Sequence, residues 1–186
     1  MTSHRASECE SPRHAPSQAD AVTLRPMRED DLPLLHRWLQ REHVRRWWGG
    51  DELVTLEGVT QRYLPRTLGQ GGVTPYIALL GDRPVGYCQS YVVVGDDFWP
   101  DETDLGARGC DQFLGEGDLL GQGLGTQLVR TLVDRLFADP AVTKVQTDPS
   151  PDNARAIRCY EKAGFRPLKR ITTPDGEALL MLRAQG

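Results

Sequence analysis

The sequence predicts a mixed α/β fold, in which helices cover a mostly antiparallel sheet. Three observations support this class. Short segments with alternating apolar and polar residues recur along the chain, amphipathic helical segments lie between them, and turn signals join two pairs of neighbouring strands. The 186 residues are enough for one domain with a sizeable core. We therefore expect a single sheet with helices packed against it.

Local signals define the order of the predicted elements. Gly81-Asp82 and Pro174-Asp175-Gly176 are hairpin turn signals, and Pro65 predicts a break near the end of a helix. Gly164 has the signature of a glycine that ends a helix. The predicted elements are a strand at 22–27, helices at 28–40 and 55–68, a hairpin at 74–94, a strand at 107–114, a helix that follows the glycines of 121–125 and ends near Asp139-Pro140, a strand at 143–148, a helix at 153–165 and a hairpin at 166–183.

The first twenty residues differ from the rest of the chain in composition. They are rich in Ser, Pro, His and charged residues and contain no apolar run, so they match neither the hydrophobic region of a signal peptide nor a membrane span. We expect a disordered tail at 1–20 and one folded domain at 21–186. No membrane partner is expected.

Charge and cysteine usage exclude further classes of protein. The net charge of −4 argues against a nucleic-acid partner, because such proteins concentrate Lys and Arg in a basic patch, and it suits a cationic partner. The cysteines Cys9, Cys88, Cys110 and Cys159 are scattered, without a spacing typical of metal ligands. We therefore expect free thiols in a reducing compartment, no bound metal and a cytoplasmic location.

Three glycines at alternate positions, Gly121, Gly123 and Gly125, precede an amphipathic helix. Glycines at such a junction let backbone N–H groups converge, and the helix N-terminus adds unpaired donors and a partial positive charge, which together favour a bound phosphate. Two common phosphate loops do not match, because no Lys follows Gly125 and Thr126 stands where a dinucleotide loop has its last glycine. A flexible loop with close helix packing is the simpler alternative.

Two motifs, in this order, resemble the GNAT acetyltransferase superfamily. The stretch LGQGLG at 120–125 is similar to the cofactor loop Q/R-x-x-G-x-G/A. Leu120 departs from this pattern because it stands where the family has Arg or Gln, so backbone amides would hold a pyrophosphate without that side chain. The second motif, N-x-x-A…Y-E-x-x-G-F, is matched by Asn153, Ala156, Tyr160, Glu161, Gly164 and Phe165.

This resemblance implies the GNAT fold: a mixed, mostly antiparallel central sheet that is splayed between two strands and flanked by helices. It implies acetyl-CoA as co-substrate, with the pantetheine between the strands at 107–114 and 143–148 and the pyrophosphate over 121–126. Tyr160 would give a hydrogen bond to the departing thiolate, although a tyrosine on a helix is more often a core residue. The residues implied in binding acetyl-CoA are Gln112, Phe113, Leu114, Leu120, Gly121, Gln122, Gly123, Leu124, Gly125, Thr126, Asn153, Ala156 and Tyr160.

A more specific resemblance covers nearly the whole chain, from Val22 to the last strand. The stretches RRWWGG, VGYCQSYV, RGCDQFL and TTPDG, among others, are similar to the aminoglycoside 6′-N-acetyltransferases, which confer antibiotic resistance. The resemblance implies direct acetyl transfer, in a ternary complex, to the 6′-amino group of drugs of the kanamycin, tobramycin and amikacin type. The residues that it places around the drug are Trp48, Asp96, Trp99, Asp111, Asp148 and Asp175.

An acidic segment agrees with a polycationic substrate. The segment 95–118 contains eight Asp and Glu residues and one base, Arg108. Such a run is usually a solvated loop, but Phe98-Trp99 interrupts it and Asp111 lies within an otherwise apolar strand. We assign Asp111 as the general base that removes a proton from the substrate ammonium, directly or through one water. A backbone N–H of the same strand would stabilise the oxyanion that forms.

Several alternatives stay open at this stage. Asp148 is also placed to cap the turn before the next helix, and Asp175 is foremost a turn residue. Cys110 invites an acyl-cysteine route, but strand alternation points its side chain away from that of Asp111. The competing functions are a GNAT enzyme for another polyamine or a hydroxylamine, and a non-catalytic acyl-CoA-binding domain. The sequence leaves open whether the protein is a monomer or a homodimer.

Overall fold

The computed structural model describes residues 21–95 and 97–186. The predicted tail at 1–20 and the predicted drug contact Asp96 lie outside the described residues. The strands are β1 (Val22–Pro26), β2 (Val73–Leu80), β3 (Arg83–Val92), β4 (Ala107–Leu114), β5 (Lys144–Thr147), β6 (Arg166–Thr173) and β7 (Gly176–Ala184). The helices are α1 (Leu32–Leu39), α2 (Glu42–Arg45), α3 (Leu56–Thr67), α4 (Leu124–Phe137) and α5 (Ala154–Lys162), with short 3₁₀ turns at Glu29–Asp31, Asp51–Val54 and Gly117–Leu119.

All seven strands belong to one sheet, in the order β1-β2-β3-β4-β5-β7-β6. Neighbouring strands are antiparallel except β4 and β5, which run parallel. Both predicted hairpins are present, with turns at Gly81-Asp82 and Pro174-Asp175. The mixed, mostly antiparallel sheet that the sequence predicts is therefore confirmed.

The contact between β4 and β5 is short. On one side, β4 pairs with β3 from Arg108 to Leu114, whereas on the other side it pairs with β5 only at Ala107, Arg108 and Gly109. Among the described residues, no strand pairs with that second side of β4 beyond Gly109. The sheet therefore opens into a splay along the second half of β4, and the backbone groups of this strand edge are available to a ligand.

Helices cover both faces of the sheet. α4 and α5 pack with Cys88, Cys110 and Val145 on one face, and α1 and α3 pack with Tyr87 and Phe113 on the other. Because neighbouring residues of a strand point to opposite faces, successive side chains of β3 and β4 enter two separate cores. Within residues 21–95 and 97–186, no helix has the length and apolar character needed to cross a membrane.

Helix α3 corrects one prediction. It passes through Pro65 and ends at Thr67, so the break expected at the proline is absent from this helix. Pro65 removes one intrahelical hydrogen bond, whereas Val59 and Tyr63 are fully buried and hold the helix on the sheet. The sequence also did not reveal α2, whose four residues are too few for a periodic pattern.

Candidate active site

The glycine loop before α4 has the backbone conformation expected of an anion site. Gly121 and Gly123 have φ angles of +79° and +84°, in the left-handed region that other residues rarely adopt. Gly123 is the N-cap of α4, and no side-chain cap is found for this helix in the described chain. A Cβ at either glycine would meet none of the described atoms within 4 Å. Backbone conformation and open space therefore both suit a pyrophosphate.

Gly125 lies in a different environment from the two glycines before it. A Cβ there would lie 3.4 Å from the Sγ atom of Cys159 on α5, which is an ordinary van der Waals contact. The same sulfur atom accepts hydrogen bonds from Thr126 Oγ1 at 3.7 Å and from Gln112 Nε2 at 3.9 Å. The packing of α4 on α5 therefore does not require a glycine at this position, and a contact between Gly125 and acetyl-CoA stays a prediction.

The other predicted acetyl-CoA residues lie at the end of β4, in the glycine loop and on α5. Gln112 has a buried Oε1 atom without a hydrogen-bond partner among the described residues, which a ligand N–H would satisfy. Gln122 is exposed, and its side chain donates to the Asp118 carbonyl at 2.6 Å. The apolar members of the set pack into the core on the α4 side of the sheet: Leu114, Leu120, Leu124 and Ala156.

Two of these residues have structural roles that the motif did not reveal. Asn153 caps α5, because its Oδ1 atom accepts a hydrogen bond from the Ala156 N–H at 3.1 Å. The Phe113 side chain points to the α3 face and packs against Trp48, with ring centroids 4.9 Å apart. Only the backbone of Phe113 therefore borders the splay, and contacts of both residues with acetyl-CoA stay predictions.

Tyr160, the predicted proton donor, is buried on α5. Its hydroxyl lies close to the side chain of Thr147, the last residue of β5, and its ring packs edge-on against Phe165. Burial raises the pKa of this phenol well above its usual value, and Cys110 and Asp111 raise it further. The hydroxyl therefore stays protonated at neutral pH and able to donate a hydrogen bond.

Asp111 lies half-buried on β4, two residues beyond the last pair with β5. Its Oδ2 atom accepts a hydrogen bond from Gln89 Nε2 at 2.8 Å, and the Tyr91 hydroxyl lies close to the same carboxylate. Burial raises the pKa of Tyr91 well above its usual value, and the charges of Asp111 and Asp148 raise it further. Asp111 and Asp148, two predicted substrate contacts on opposite sides of the splay, therefore both raise the pKa of Tyr91.

Sequence reasoning missed the partners of Asp111. Tyr87, Gln89 and Tyr91 alternate along β3, so they share a face of the sheet, and Gln89 is the cross-strand partner of Asp111. Gln89 Oε1 accepts hydrogen bonds from Arg66 Nη1 at 2.7 Å and from the Tyr87 hydroxyl at 2.8 Å. The signal was present in the sequence of β3, where polar side chains recur at alternate positions of a buried strand.

The two predicted tryptophan contacts lie in different environments. Trp48 is half-buried, donates from Nε1 to the Tyr63 hydroxyl at 2.7 Å and packs on Phe113. Trp99 is buried and stacks on Tyr91, with ring centroids 5.7 Å apart. Its Nε1 atom has no partner among the described residues. Trp99 therefore supports the Tyr91 ring, and a contact with a ligand would use its N–H.

Asp175 occupies the turn that its sequence signal predicts. It is exposed between β6 and β7, where its N–H donates to Thr173 Oγ1 at 3.2 Å. Ile171 and Leu180 of this hairpin pack with Trp99, so the hairpin lies beside the acidic segment. A contact between Asp175 and a ligand stays a prediction.

Cys110 points away from Asp111, as strand alternation predicts. It is buried in the core that α4 and α5 cover, and burial raises the pKa of its thiol well above the usual value. An acyl-cysteine route therefore has no support in this geometry. In the part of the chain that the structure describes, no group of three or more His, Cys, Asp or Glu side chains is arranged to hold a metal ion.

The family model of an acetyltransferase (GNAT) domain matches residues 27–173. Aminoglycoside N(6′)-acetyltransferase type 1 from Klebsiella pneumoniae is 57% identical over 169 residues, which are 89% of this chain and 84% of that protein, and the Serratia marcescens protein of the same name gives the same values. A crystal structure of AAC(6′)-Ib with coenzyme A and kanamycin matches with a TM-score of 0.84 and 55% identity, over 89% of this chain and 95% of that one.

A more distant relative represents another substrate class. N(6)-hydroxylysine O-acetyltransferase from Escherichia coli is 26% identical over 161 residues, which are 82% of this chain and 48% of that protein.

The splayed sheet, the glycine loop and the matched lengths agree with the resemblance that the sequence motifs indicated. The chain therefore belongs to the GNAT acetyltransferase family and, within it, to the aminoglycoside N(6′)-acetyltransferases.

Proposed function

We propose that this protein transfers an acetyl group from acetyl-CoA to the 6′-amino group of aminoglycosides such as kanamycin and thereby confers resistance. The observation that carries the proposal is a carboxylate on a rigid central strand beside the splay. Asp111 is held there by Gln89, and Asp148 lies at the end of the strand across the splay. A carboxylate at the opening of the cofactor channel is suited to receive a proton from an incoming ammonium group.

The glycine loop and the free edge of β4 suit acetyl-CoA. This co-substrate supplies an acetyl group that is activated as a thioester. The amides of residues 121–126 would hold its pyrophosphate without help from Leu120, whose side chain packs in the core. The open edge of β4 from Cys110 to Leu114 would line the pantetheine with backbone donors and acceptors.

Two side chains would remove the ammonium proton and stabilise the departing sulfur. The amine of an aminoglycoside is an ammonium at neutral pH, so it becomes a nucleophile only after Asp111 has accepted its proton, directly or through one water. Tyr160 would donate a hydrogen bond to the departing sulfur, since burial keeps its hydroxyl protonated. Attack, proton removal and departure would take place in one ternary complex, without an acyl-enzyme.

Acidic and aromatic side chains around Asp111 suit a polycationic sugar. Asp148 adds a second carboxylate, and Trp48 presents a half-buried ring beside Phe113. Ammonium groups gain from carboxylates and from the faces of aromatic rings, and these attractions are stronger in a partly desolvated pocket. The remaining members of the proposed drug site are Asp96, Trp99 and Asp175.

The likeness to a hydroxylysine acetyltransferase makes a hydroxylamine the second candidate acceptor. A substrate comparison separates the two. Purified protein is mixed with acetyl-CoA and a thiol reagent, and the release of coenzyme A is followed with kanamycin, tobramycin, amikacin, spermidine or N6-hydroxylysine. We expect release with the drugs at a kcat/KM at least about a hundredfold above that for the other two acceptors, because only the drugs hold several ammonium groups on rigid sugar rings that can also pack on aromatic side chains.

The position of the new acetyl group provides the control. An aminoglycoside with a hydroxyl in place of the 6′-amine should release little coenzyme A, and mass spectrometry of acetylated kanamycin should place the group on the 6′-nitrogen. Absence of drug-dependent release, or acetylation elsewhere on the drug, would overturn the proposal. Expression in a susceptible bacterium should raise the inhibitory concentration of kanamycin. The proposal includes that acetylation takes place in the cytoplasm, where acetyl-CoA is present.

A further inference from the structure

A chain of hydrogen bonds reaches Asp111 from helix α3. Arg66 Nη1 donates to Gln89 Oε1 at 2.7 Å, and Gln89 Nε2 donates to Asp111 Oδ2 at 2.8 Å. The Tyr87 hydroxyl is a second donor to Gln89 Oε1, at 2.8 Å. Gln89 is buried, with 8% of its surface exposed, so these three bonds replace the water that its amide would otherwise bind.

The partners of the Gln89 amide determine its orientation. A guanidinium group only donates hydrogen bonds, so Arg66 requires an acceptor, which in this amide is Oε1. The Tyr87 hydroxyl also donates to Oε1, and it keeps its proton for this bond because burial raises the pKa of Tyr87 well above its usual value. Both donors therefore prevent a flip of the amide, and Nε2 must face Asp111.

The backbone makes this contact rigid. Gln89 and Asp111 are directly opposite each other on β3 and β4, the two central strands of the sheet. The Arg66 guanidinium lies over the Tyr63 ring, 4.7 Å from its centroid, and Tyr63 is in turn bonded to Trp48. The donor that Asp111 receives is therefore fixed from the strand and from the helix that covers it.

The amide also separates two opposite charges. A direct contact between Arg66 and Asp111 would lower the pKa of the carboxyl group by about one to three units, which would weaken it as a base. With Gln89 between them, the guanidinium acts on the carboxylate through the amide, which it polarises and orients.

We infer that Gln89 is a positioning residue, held by Arg66 and Tyr87, that orients the Asp111 carboxylate and couples it to the Arg66 charge. This inference rests on the proposed function for its catalytic meaning, because Gln89 acts on the reaction only through Asp111. Among the described residues, the titratable and charged groups that lie near enough to Asp111 or its amide partner to interact electrostatically with them are Tyr63 and Arg66 on α3, Tyr87 and Tyr91 on β3, Cys110 on β4, Asp148 after β5 and Tyr160 on α5.

The first test replaces the amide with a carboxylate. In Gln89→Glu, one oxygen still accepts from Arg66 and Tyr87, and the other faces Asp111 Oδ2. Since two touching carboxylates resist ionising together and Arg66 keeps the new one charged, Asp111 should hold its proton to higher pH. We expect the acidic limb of the kcat/KM profile for kanamycin to move up by about one unit or more. At the alkaline plateau, kcat should return to within about tenfold of the wild-type value.

The second test uses a matched pair on α3. Arg62 and Arg66 both lie against the Tyr63 ring, but Arg62 pairs with Glu52 at 2.6 Å whereas Arg66 donates to Gln89. Arg66→Met should move the acidic limb up by about half a unit, because a nearby positive charge is lost. Arg66→Lys should recover part of this shift, and Arg62→Met should leave the limb unchanged.

A substrate-free measurement separates this inference from the proposed function. The carboxyl ¹³C signal of Asp111, assigned by its loss in Asp111→Asn, is titrated in the wild type and in the three variants Gln89→Glu, Arg66→Met and Arg62→Met. Higher pKa values of Asp111 in the first two variants alone would support the inference even if kanamycin were not acetylated. Equal pKa values in all four proteins, with native thermal unfolding, would overturn it even if kanamycin were acetylated.

Discussion

The candidate site has two sides that are built from different parts of the protein. The proposed cofactor side, formed by the glycine loop, α4 and the open edge of β4, consists mainly of backbone groups. These are two left-handed glycines, helix amides without a side-chain cap and the part of the β4 edge that no strand of the described residues covers. The acceptor side, formed by α3, β3 and the Asp111 face of β4, consists of side chains that bond one another.

The difference explains which kinds of change each side tolerates. A site made of backbone groups depends on dihedral angles, so it constrains a few glycines and leaves the neighbouring side chains free. A site made of side chains depends on each partner keeping its donor or acceptor, so it is sensitive to the substitution of one atom. The comparison of the two sides is therefore tested by mutations that change the kinetic constants for kanamycin and for acetyl-CoA to different extents.

The largest effect is expected on the acceptor side. Asp111→Asn removes the proposed base, so kcat/KM for kanamycin should fall by about 10² to 10⁴. The KM for acetyl-CoA should change less than about twofold, because the glycine loop is untouched. Steady-state assays of coenzyme A release measure both constants. Asp97→Asn, which removes the same charge from an exposed residue of the acidic segment, should retain activity, and equal losses in both variants would contradict the assignment.

A smaller effect is expected on the cofactor side. Gly123→Ala places a side chain at φ +84°, which costs about 1–2 kcal/mol, so the affinity for acetyl-CoA should fall by roughly tenfold as the loop adjusts. Calorimetric titration with coenzyme A measures this loss. Gly125→Ala is the matched control, since its Cβ would be in ordinary contact with Cys159 Sγ at 3.4 Å and its φ is not positive. Similar affinities for the two variants would show that loop conformation does not govern binding.

The smallest effect concerns stability at high pH. Burial raises the pKa of Tyr91 well above its usual value, so this phenol keeps its proton in the folded protein at a pH where the unfolded chain has lost it. Its contribution is fully present below the unfolded pKa of about 10 and declines as the pH rises from there towards the folded pKa, by up to about 1.4 kcal/mol per pH unit.

Urea unfolding between pH 9 and 11 measures this decline. Tyr91→Phe should reduce the slope, because one buried phenol on the acceptor side no longer titrates. Tyr76→Phe is the control and should leave the slope unchanged, since Tyr76 lies on β2 in the core that α4 and α5 cover. A slope that Tyr91→Phe leaves unchanged would mean that the buried phenols do not determine the alkaline limit.

Much of the fold was predictable because its signals are local. Each strand and the helices α1, α3, α4 and α5 follow from periodicity and turn residues, and the left-handed loop before α4 follows from glycine spacing. Pro65 misled because burial of the same helix outweighs one lost hydrogen bond.

The acceptor side was only partly predictable because its contacts are not local. Asp111 was identified as an acid within an apolar strand, but its bond to Gln89 joins residues 22 positions apart and depends on the register of two strands. Arg66 reaches this pair from a third segment, and no local pattern reveals that approach. The burial of Trp99 behind Tyr91 is likewise a result of tertiary packing.

The three residue pairs that join β4 to β5 make a narrow seam between the N-terminal and C-terminal parts of the sheet. Beyond these pairs, Asp111 on β4 and Asp148 after β5 lie on opposite sides of the gap between the two strands. A coenzyme that bridges the gap would fix the distance between Asp111 and Asp148, and with it the width of the cleft that we propose receives the antibiotic. We therefore expect an ordered reaction, in which the coenzyme binds first and sets the width of the cleft before the drug binds.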